Sequence, residues 1–221
     1  MKGKTNKMVI SAMMVALGTI LSLLKLFELP FGGTVTVASM VPVVLVAYLY
    51  GTKWGLFTSF VYSVLQLVCG VASGIVSRMF LPGEEQMAIS SAILICIFDY
   101  ILAYVALGFG GIFKDKFKHR TTEIVLGVVV ALSLRWAMHT LSGFIFYGAW
   151  AEWFFGDSTG LAGVGFMKGF CDWVMANMSG KGLALFYSVV YNGAYMVPEI
   201  IITAVLAPLV YGALKRTKLA E

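Results

Sequence analysis

Apolar residues run in blocks of about 20 along this chain, separated by short polar or glycine-containing stretches, a pattern that predicts transmembrane helices rather than the amphipathic segments of a soluble domain. Six blocks stand out, roughly residues 8–28, 34–51, 54–75, 88–113, 123–147 and 183–213. At about 1.5 Å per residue each can cross a hydrocarbon core about 30 Å thick. The second block is near the lower length limit and contains Pro42. The first follows Lys2, Lys4 and Lys7, as a signal peptide would, but its apolar run exceeds the usual stretch of about 7–15 residues and no small-x-small cleavage site precedes Pro30. It reads as a retained helix. The pattern therefore predicts an all-α integral membrane protein, a single transmembrane domain over residues 1–221 with a bundle of six transmembrane helices.

Charge sets the expected orientation. Six spans place both termini on one side, where Lys2, Lys4, Lys7, Lys53, Lys114, Lys116, Lys118, Arg120, Lys215, Arg216 and Lys218 make eleven cations. The other side has four, Lys25, Arg78, Lys168 and Lys181, beside six acids, Glu28, Glu84, Glu85, Glu152, Asp157 and Asp172. Cytoplasmic loops carry the excess of Lys and Arg, so both termini are expected in the cytoplasm of a multi-pass cell-membrane protein. In a soluble chain the net charge of +5 would point to nucleic acid. Here the location of the cations accounts for it, and no nucleic-acid partner is expected.

The expected outer side also carries a loop of about 35 residues, 148–182, holding Trp150, Trp153, Phe154, Phe155, Phe166, Phe170 and Trp173. These aromatics suit an interfacial belt in the headgroup layer, or a lid over an outward-facing pocket. No internal repeat or pair of broken half-helices marks an inverted-repeat transporter.

Composition agrees with the pattern, at 60% apolar and 12% charged residues with mean hydropathy +0.90. Cys69, Cys96 and Cys171 are too scattered for a disulfide framework or a zinc site. Gly180-Lys181-Gly182 lacks the glycine spacing and the Ser/Thr of a phosphate-binding loop, and no His-Glu-x-x-His or Gly-x-Ser-x-Gly occurs. With only His119 and His139, a metal-dependent or triad enzyme is not expected. No metal and no cofactor are called for. Uphill transport would draw on an ion gradient or on another subunit.

Four ionisable residues fall inside the spans: Asp99, Arg135, His139 and Glu199. A charge at mid-bilayer costs about 2.5–3.5 kcal/mol, so such residues face a cavity or a partner. Arg135 and His139 are four apart and share a helix face, which Ser142 and Gly143 continue. Tyr187, Tyr191, Asn192 and Tyr195 form a second polar stripe on the last span, and Asp99-Tyr100 adds a carboxylate and a phenol. A buried Asp99–Arg135 ion pair tying two helices together is the plain alternative, but it leaves His139, Asn192 and the tyrosines unexplained. Glu199, beside Pro198, is expected to cap backbone freed by the proline or to sit near the interface. One carboxylate, guanidinium, imidazole and amide among aromatic rings suit a small, flat, heteroaromatic cation. A proton relay would also use Asp99 and His139 but not the tyrosines. On the first span, Ala12 and Ala16 form a small-xxx-small strip, suited to packing within the chain or to docking of another helix.

These stretches resemble a known family. Leu134 to Gly148, LRWAMHTLSGFIFYG, and Tyr187 to Pro198, YSVVYNGAYMVP, are similar to the ThiT family, the thiamine-specific substrate-binding (S) components of energy-coupling factor (ECF) transporters. Phe98-Asp99-Tyr100 resembles the family's acidic-Tyr pair, and Ala12-Met13-Met14-Val15-Ala16 its Ala-x-x-x-Ala contact motif. The resemblance implies a six-helix subunit, not itself an enzyme, that captures thiamine from outside in a pocket on the outer halves of the fourth to sixth helices, closed by the first outer loop. It implies partners as well: a transmembrane scaffold subunit (EcfT) and two ATP-binding-cassette ATPases, with the S component toppling in the bilayer to release the vitamin. Carried over by position, Asp99 matches the acidic pyrimidine-site residue and Tyr100 the phenol beside it. Arg135 occupies the basic position, His139 is the ring-contacting histidine, Tyr147 falls at a stacking aromatic, and Tyr187 and Asn192 match a polar pair. Ala12 and Ala16 become a docking surface. The chain departs from the family in having Gly32-Gly33 where some members place a stacking tryptophan, in aspartate for glutamate at Asp99, and in a longer outer loop. A thiamine precursor or analogue is the alternative substrate, and a stand-alone proton-coupled carrier the alternative mechanism.

Overall fold

A computed structural model describes residues 2–29, 32–83 and 85–216 of the 221-residue chain. Pro30, Glu84 and Lys218, which entered the reading above, lie outside the described residues, as does the side chain of Lys2. The chain forms α1 (Lys2–Ser22), β1 (Lys25–Glu28), β2 (Thr34–Thr36), α2 (Val41–Tyr50), α3 (Thr52–Ala72), α4 (Ile89–Gly111), α5 (Arg120–Phe146), α6 (Ala151–Gly156), α7 (Lys168–Asn177) and α8 (Gly180–Arg216). Five of these, α1, α3, α4, α5 and α8, are long and apolar enough to cross a membrane.

The first two expected spans need correcting. The first block stays helical only to Ser22; Lys25–Glu28 then pairs antiparallel with Thr34–Thr36, with Glu28 opposite Thr34 and Phe27 opposite Val35. Both strands fit strand chemistry better than helix: Thr34, Val35 and Thr36 are β-branched, and β1 places polar ends around Leu26-Phe27. The second block, expected to span from 34 to 51, is a helix of only 10 residues, about 15 Å long. Pro42 sits in its first turn, where a missing N–H costs no helical hydrogen bond. Every residue from Val41 to Tyr48 is buried, so α2 behaves as the all-round apolar helix at the centre of a bundle, packed against α1, α3, α4, α5 and α8.

Its C-terminal end is tied down by a carboxylate. Glu123, fully buried in the first turn of α5, accepts from Tyr48 Oη at 2.6 Å, from the Phe117 N–H at 3.0 Å and from Arg120 at 3.1 Å. Arg120 also binds Asp115. Three donors offset the desolvation of one anion and lock α2, the preceding turn and α5 together.

The longest helix pair, α5 and α8, makes the most extensive contact in the molecule. Together they supply most of the polar face described below. The segment from 148 to 179 folds over one end of this pair as α6, α7 and short helical turns. Ala151, Phe155, Cys171 and Val174 are buried in the same core as α2, while Phe166 and Trp173 are exposed. This loop therefore divides its aromatics between a cover over the bundle and an outward face.

Candidate functional site

One wall of the site is set by a local change in helix winding. Within α4, Cys96–Leu102 is wound as a π-helix, and Asp99 and Tyr100 lie inside it. Such wide turns cost hydrogen-bond quality and concentrate at functional sites. Tyr100 lies against α3 at Gly70, where a Cβ would come within 2.5 Å of the phenol oxygen and 2.7 Å of Cζ. Only a residue without a side chain lets the ring lie there.

Asp99 faces α5. Its Oδ1 is 2.9 Å from His139 Nδ1, and its Oδ2 accepts from Ser142 Oγ at 2.7 Å. The other ring nitrogen, His139 Nε2, accepts from Arg135 Nε at 3.2 Å. A ring nitrogen that accepts carries no proton, so the Nδ1 hydrogen is the one directed at Asp99. The guanidinium is further held by Met40 Sδ at 2.7 Å and lies over the Tyr104 ring, 4.1 Å from its centre. In place of the direct Asp99–Arg135 ion pair weighed as the plain alternative, the two groups are linked through the imidazole.

On α8, residues 187, 191, 195 and 199 recur every four positions and share one face. Asn192 anchors its neighbour: Nδ2 donates to the Ser188 carbonyl at 2.8 Å and the His139 carbonyl at 3.3 Å, while Oδ1 accepts from Tyr195 Oη at 2.6 Å. The Tyr195 ring stands edge-on to His139, 5.8 Å between centres. Phe154 of α6 meets Tyr187 and Tyr191 edge to face.

These groups surround one cavity of about 300 Å³. Asp99, Tyr100, Arg135, His139, Tyr147, Tyr187 and Asn192 all line it. So do Tyr104, Tyr191 and Tyr195, which the sequence reading left off its list, although Tyr104 lies four residues after Tyr100 and the other two belong to the α8 stripe. Arg78 and Glu85, paired at 2.9 Å, also line it, and nothing in the sequence marked them for a site; so do Gly33, noted above for its missing tryptophan, and Thr34. Gly33 stands so close to α8 that a Cβ there would be 2.7 Å from the Tyr195 ring. The ring walls expected from a tryptophan in the first outer loop come instead from tyrosines on α4 and α8 and from Tyr147, just past the end of α5.

Two candidate residues lie elsewhere. Ala12 and Ala16 are exposed on α1, whose inward face is Ser11, Val15 and Gly18, so the strip is not used for packing within the chain. Glu199 does not cap the proline-freed backbone: its Oε1 accepts from the Thr36 N–H at 2.6 Å and from Thr36 Oγ1 at 2.7 Å. Among the described residues no group of three or more His, Cys, Asp or Glu could hold a metal ion.

The volume lies at the small end of ligand pockets, and the wall combines Asp99, and Glu85 paired to Arg78 at the rim, with a dense set of rings. Asp99 retains lone pairs beyond those used by His139 and Ser142, so it can accept from a ligand amine. Ring faces attract a cation. Residues 8–154 match the profile of a family described as thiamine transporter protein. Over 211 residues, 90% of this chain and 87% of the relative, the sequence is 26% identical to the thiamine transporter ThiT of Bacillus subtilis (strain 168).

Proposed function

Because the chain belongs to the thiamine transporter protein family, we propose that it captures thiamine in the cavity between α4, α5 and α8, as the S component of an ECF transporter. The observation that carries this reading is the convergence of Asp99, His139, Arg135 and Asn192 with six tyrosines on a single hollow. Thiamine is a flat aminopyrimidine joined to a cationic thiazolium. Asp99 accepts from the exocyclic amine, the His139–Tyr195 ring pair borders the heterocycle on one side, and the tyrosine faces hold the cation. Tyr100, Tyr147 and Tyr187 form the remaining walls.

In this reading the molecule is a six-helix bundle with both termini cytoplasmic, α2 serving as the short sixth helix, and the cavity opens to the outside of a prokaryotic cell membrane. Ala12 and Ala16 receive the transmembrane scaffold subunit, and two ATP-binding-cassette ATPases supply the energy. The exposure of that small-residue strip favours the assembly over a stand-alone carrier. The Asp99–His139 contact is what a proton-coupled carrier would use instead.

Mass spectrometry of small molecules that co-purify with the detergent-solubilised protein tests the ligand, and titration with thiamine confirms it. Uptake into vesicles separates the mechanisms. Accumulation by this chain alone under an imposed proton gradient would reject the ECF assembly, and accumulation only with scaffold, ATPases and ATP would support it.

A further inference from the structure

Two fully buried acids stand outside the cavity wall: Glu123, held by Tyr48, Phe117 and Arg120, and Glu199. Glu199 is 1% exposed, lies on the α8 face that carries Tyr191 and Tyr195, and spends its Oε1 on both the backbone N–H and the hydroxyl of Thr36. Because the Thr36 hydroxyl proton goes to Glu199, Ser39 Oγ must be the donor in its 2.6 Å contact with Thr36 Oγ1. Three residues before Thr36, the Gly33 N–H donates to Tyr191 Oη at 3.4 Å, and a Cβ at Gly33 would collide with the Tyr195 ring. The segment from Gly33 to Thr36 thus lies along α8, fastened at one end by tyrosines that line the cavity and at the other by Glu199. Its partner strand β1 is exposed along its whole length, so β2 carries the inward attachment of the pair.

We propose that Glu199 is a positioning residue for the binding site, a latch that holds β2 against α8 and thereby sets how readily Gly33 and Thr34 leave the cavity rim. This inference rests on the thiamine reading only for its ligand-release arm. Breaking the latch frees the segment without removing any group that touches ligand. Opening of the rim speeds dissociation more than association.

Hydrogen–deuterium exchange on the full-length protein without ligand tests the latch directly. In Glu199→Ala, amides of residues 33–37 are expected to exchange about tenfold faster, with α5 and the rest of α8 unchanged. Glu199→Gln keeps an acceptor oxygen for Thr36, its nitrogen replacing the unpartnered Oε2, and restores wild-type exchange. Thr36→Val removes the hydroxyl arm alone and gives a smaller increase, which covers the case in which Glu199→Ala does not fold. Stopped-flow release of thiamine should follow the same order, Ala fastest and Gln near wild type. Exchange in Thr36→Val or Glu199→Ala equal to wild type overturns the latch, as does a glutamine variant as loose as alanine. A wild-type protein that binds no thiamine overturns the ligand reading and leaves the exchange comparison standing.

Discussion

Asp99 and Arg135 share one imidazole: Arg135 Nε donates to His139 Nε2 at 3.2 Å and Nδ1 of the same ring faces Asp99 Oδ1 at 2.9 Å. The anion stays at the cavity wall with lone pairs to spare, while the cation is drawn back over Tyr104. A direct salt bridge would saturate the carboxylate and leave less for a ligand. The histidine is the part that keeps opposite charges in one hydrogen-bonded chain yet apart.

His139→Ala should therefore cost more than a contact. It leaves Arg135, which is 6% exposed, with its Nε unpaired in an apolar setting. Removing one member of a buried charged network costs about 3–5 kcal/mol. The melting temperature in detergent is expected to fall clearly even without thiamine, and affinity with it. A melting temperature equal to wild type would show that the relay contributes nothing to the fold.

Asp99→Asn separates charge from shape. The amide oxygen can still accept from His139, so the fold persists, while the anion that faces the ligand is gone. A hydrogen bond to a charged group is worth about 1.5–3 kcal/mol, or roughly 10- to 100-fold in affinity. Asn192→Ala frees Tyr195 Oη and the Ser188 carbonyl together and should weaken binding by about tenfold. Isothermal titration with thiamine measures both. Unchanged affinity in the pair would reject this cavity as the thiamine site.

How far the sequence alone reached depends on which physical signal each residue carried. Asp99, Arg135 and His139 stood out because charge within an apolar block demands a cavity or a partner, and all three line the hollow. The α8 stripe was legible from its helical period. The strand pair was not, because Leu23 to Leu29 is as apolar as a helix end and only the pairing of Phe27 with Val35 distinguishes it. The capping role weighed for Glu199 falls for a related reason: its neighbour in the chain is Pro198, but its partner, Thr36, is 163 positions away. The Arg78–Glu85 rim belongs to an irregular turn, where periodicity says nothing.

Gly70→Ala tests whether Tyr100 needs its place against α3. The added Cβ would sit 2.5 Å from the phenol oxygen, and the neighbour is a whole ring rather than the tip of a flexible chain. Overpacking of this kind costs about 1–3 kcal/mol. The ring must shift into or along the cavity, so thiamine affinity is expected to drop about tenfold or more while the helices remain formed. Circular dichroism and a binding titration on the same sample check the two halves. Full affinity with an intact fold would place Tyr100 outside the working wall.

Ala12→Trp probes the outward strip of α1. Ser11 on the inward side is engaged, accepting from Trp54 Nε1 at 2.9 Å, whereas Ala12 and Ala16 are exposed one turn apart with Met13 beside them. Ala12 is exposed, so a tryptophan there displaces nothing buried, and stability and thiamine binding should match the wild type. A scaffold helix that packs against small residues needs close backbone approach, and an indole in that strip prevents it. Uptake by the reconstituted transporter is therefore expected to be abolished with binding intact. Retained uptake would move the docking surface elsewhere, and lost binding would mean that α1 communicates with the cavity in a way its contacts do not require.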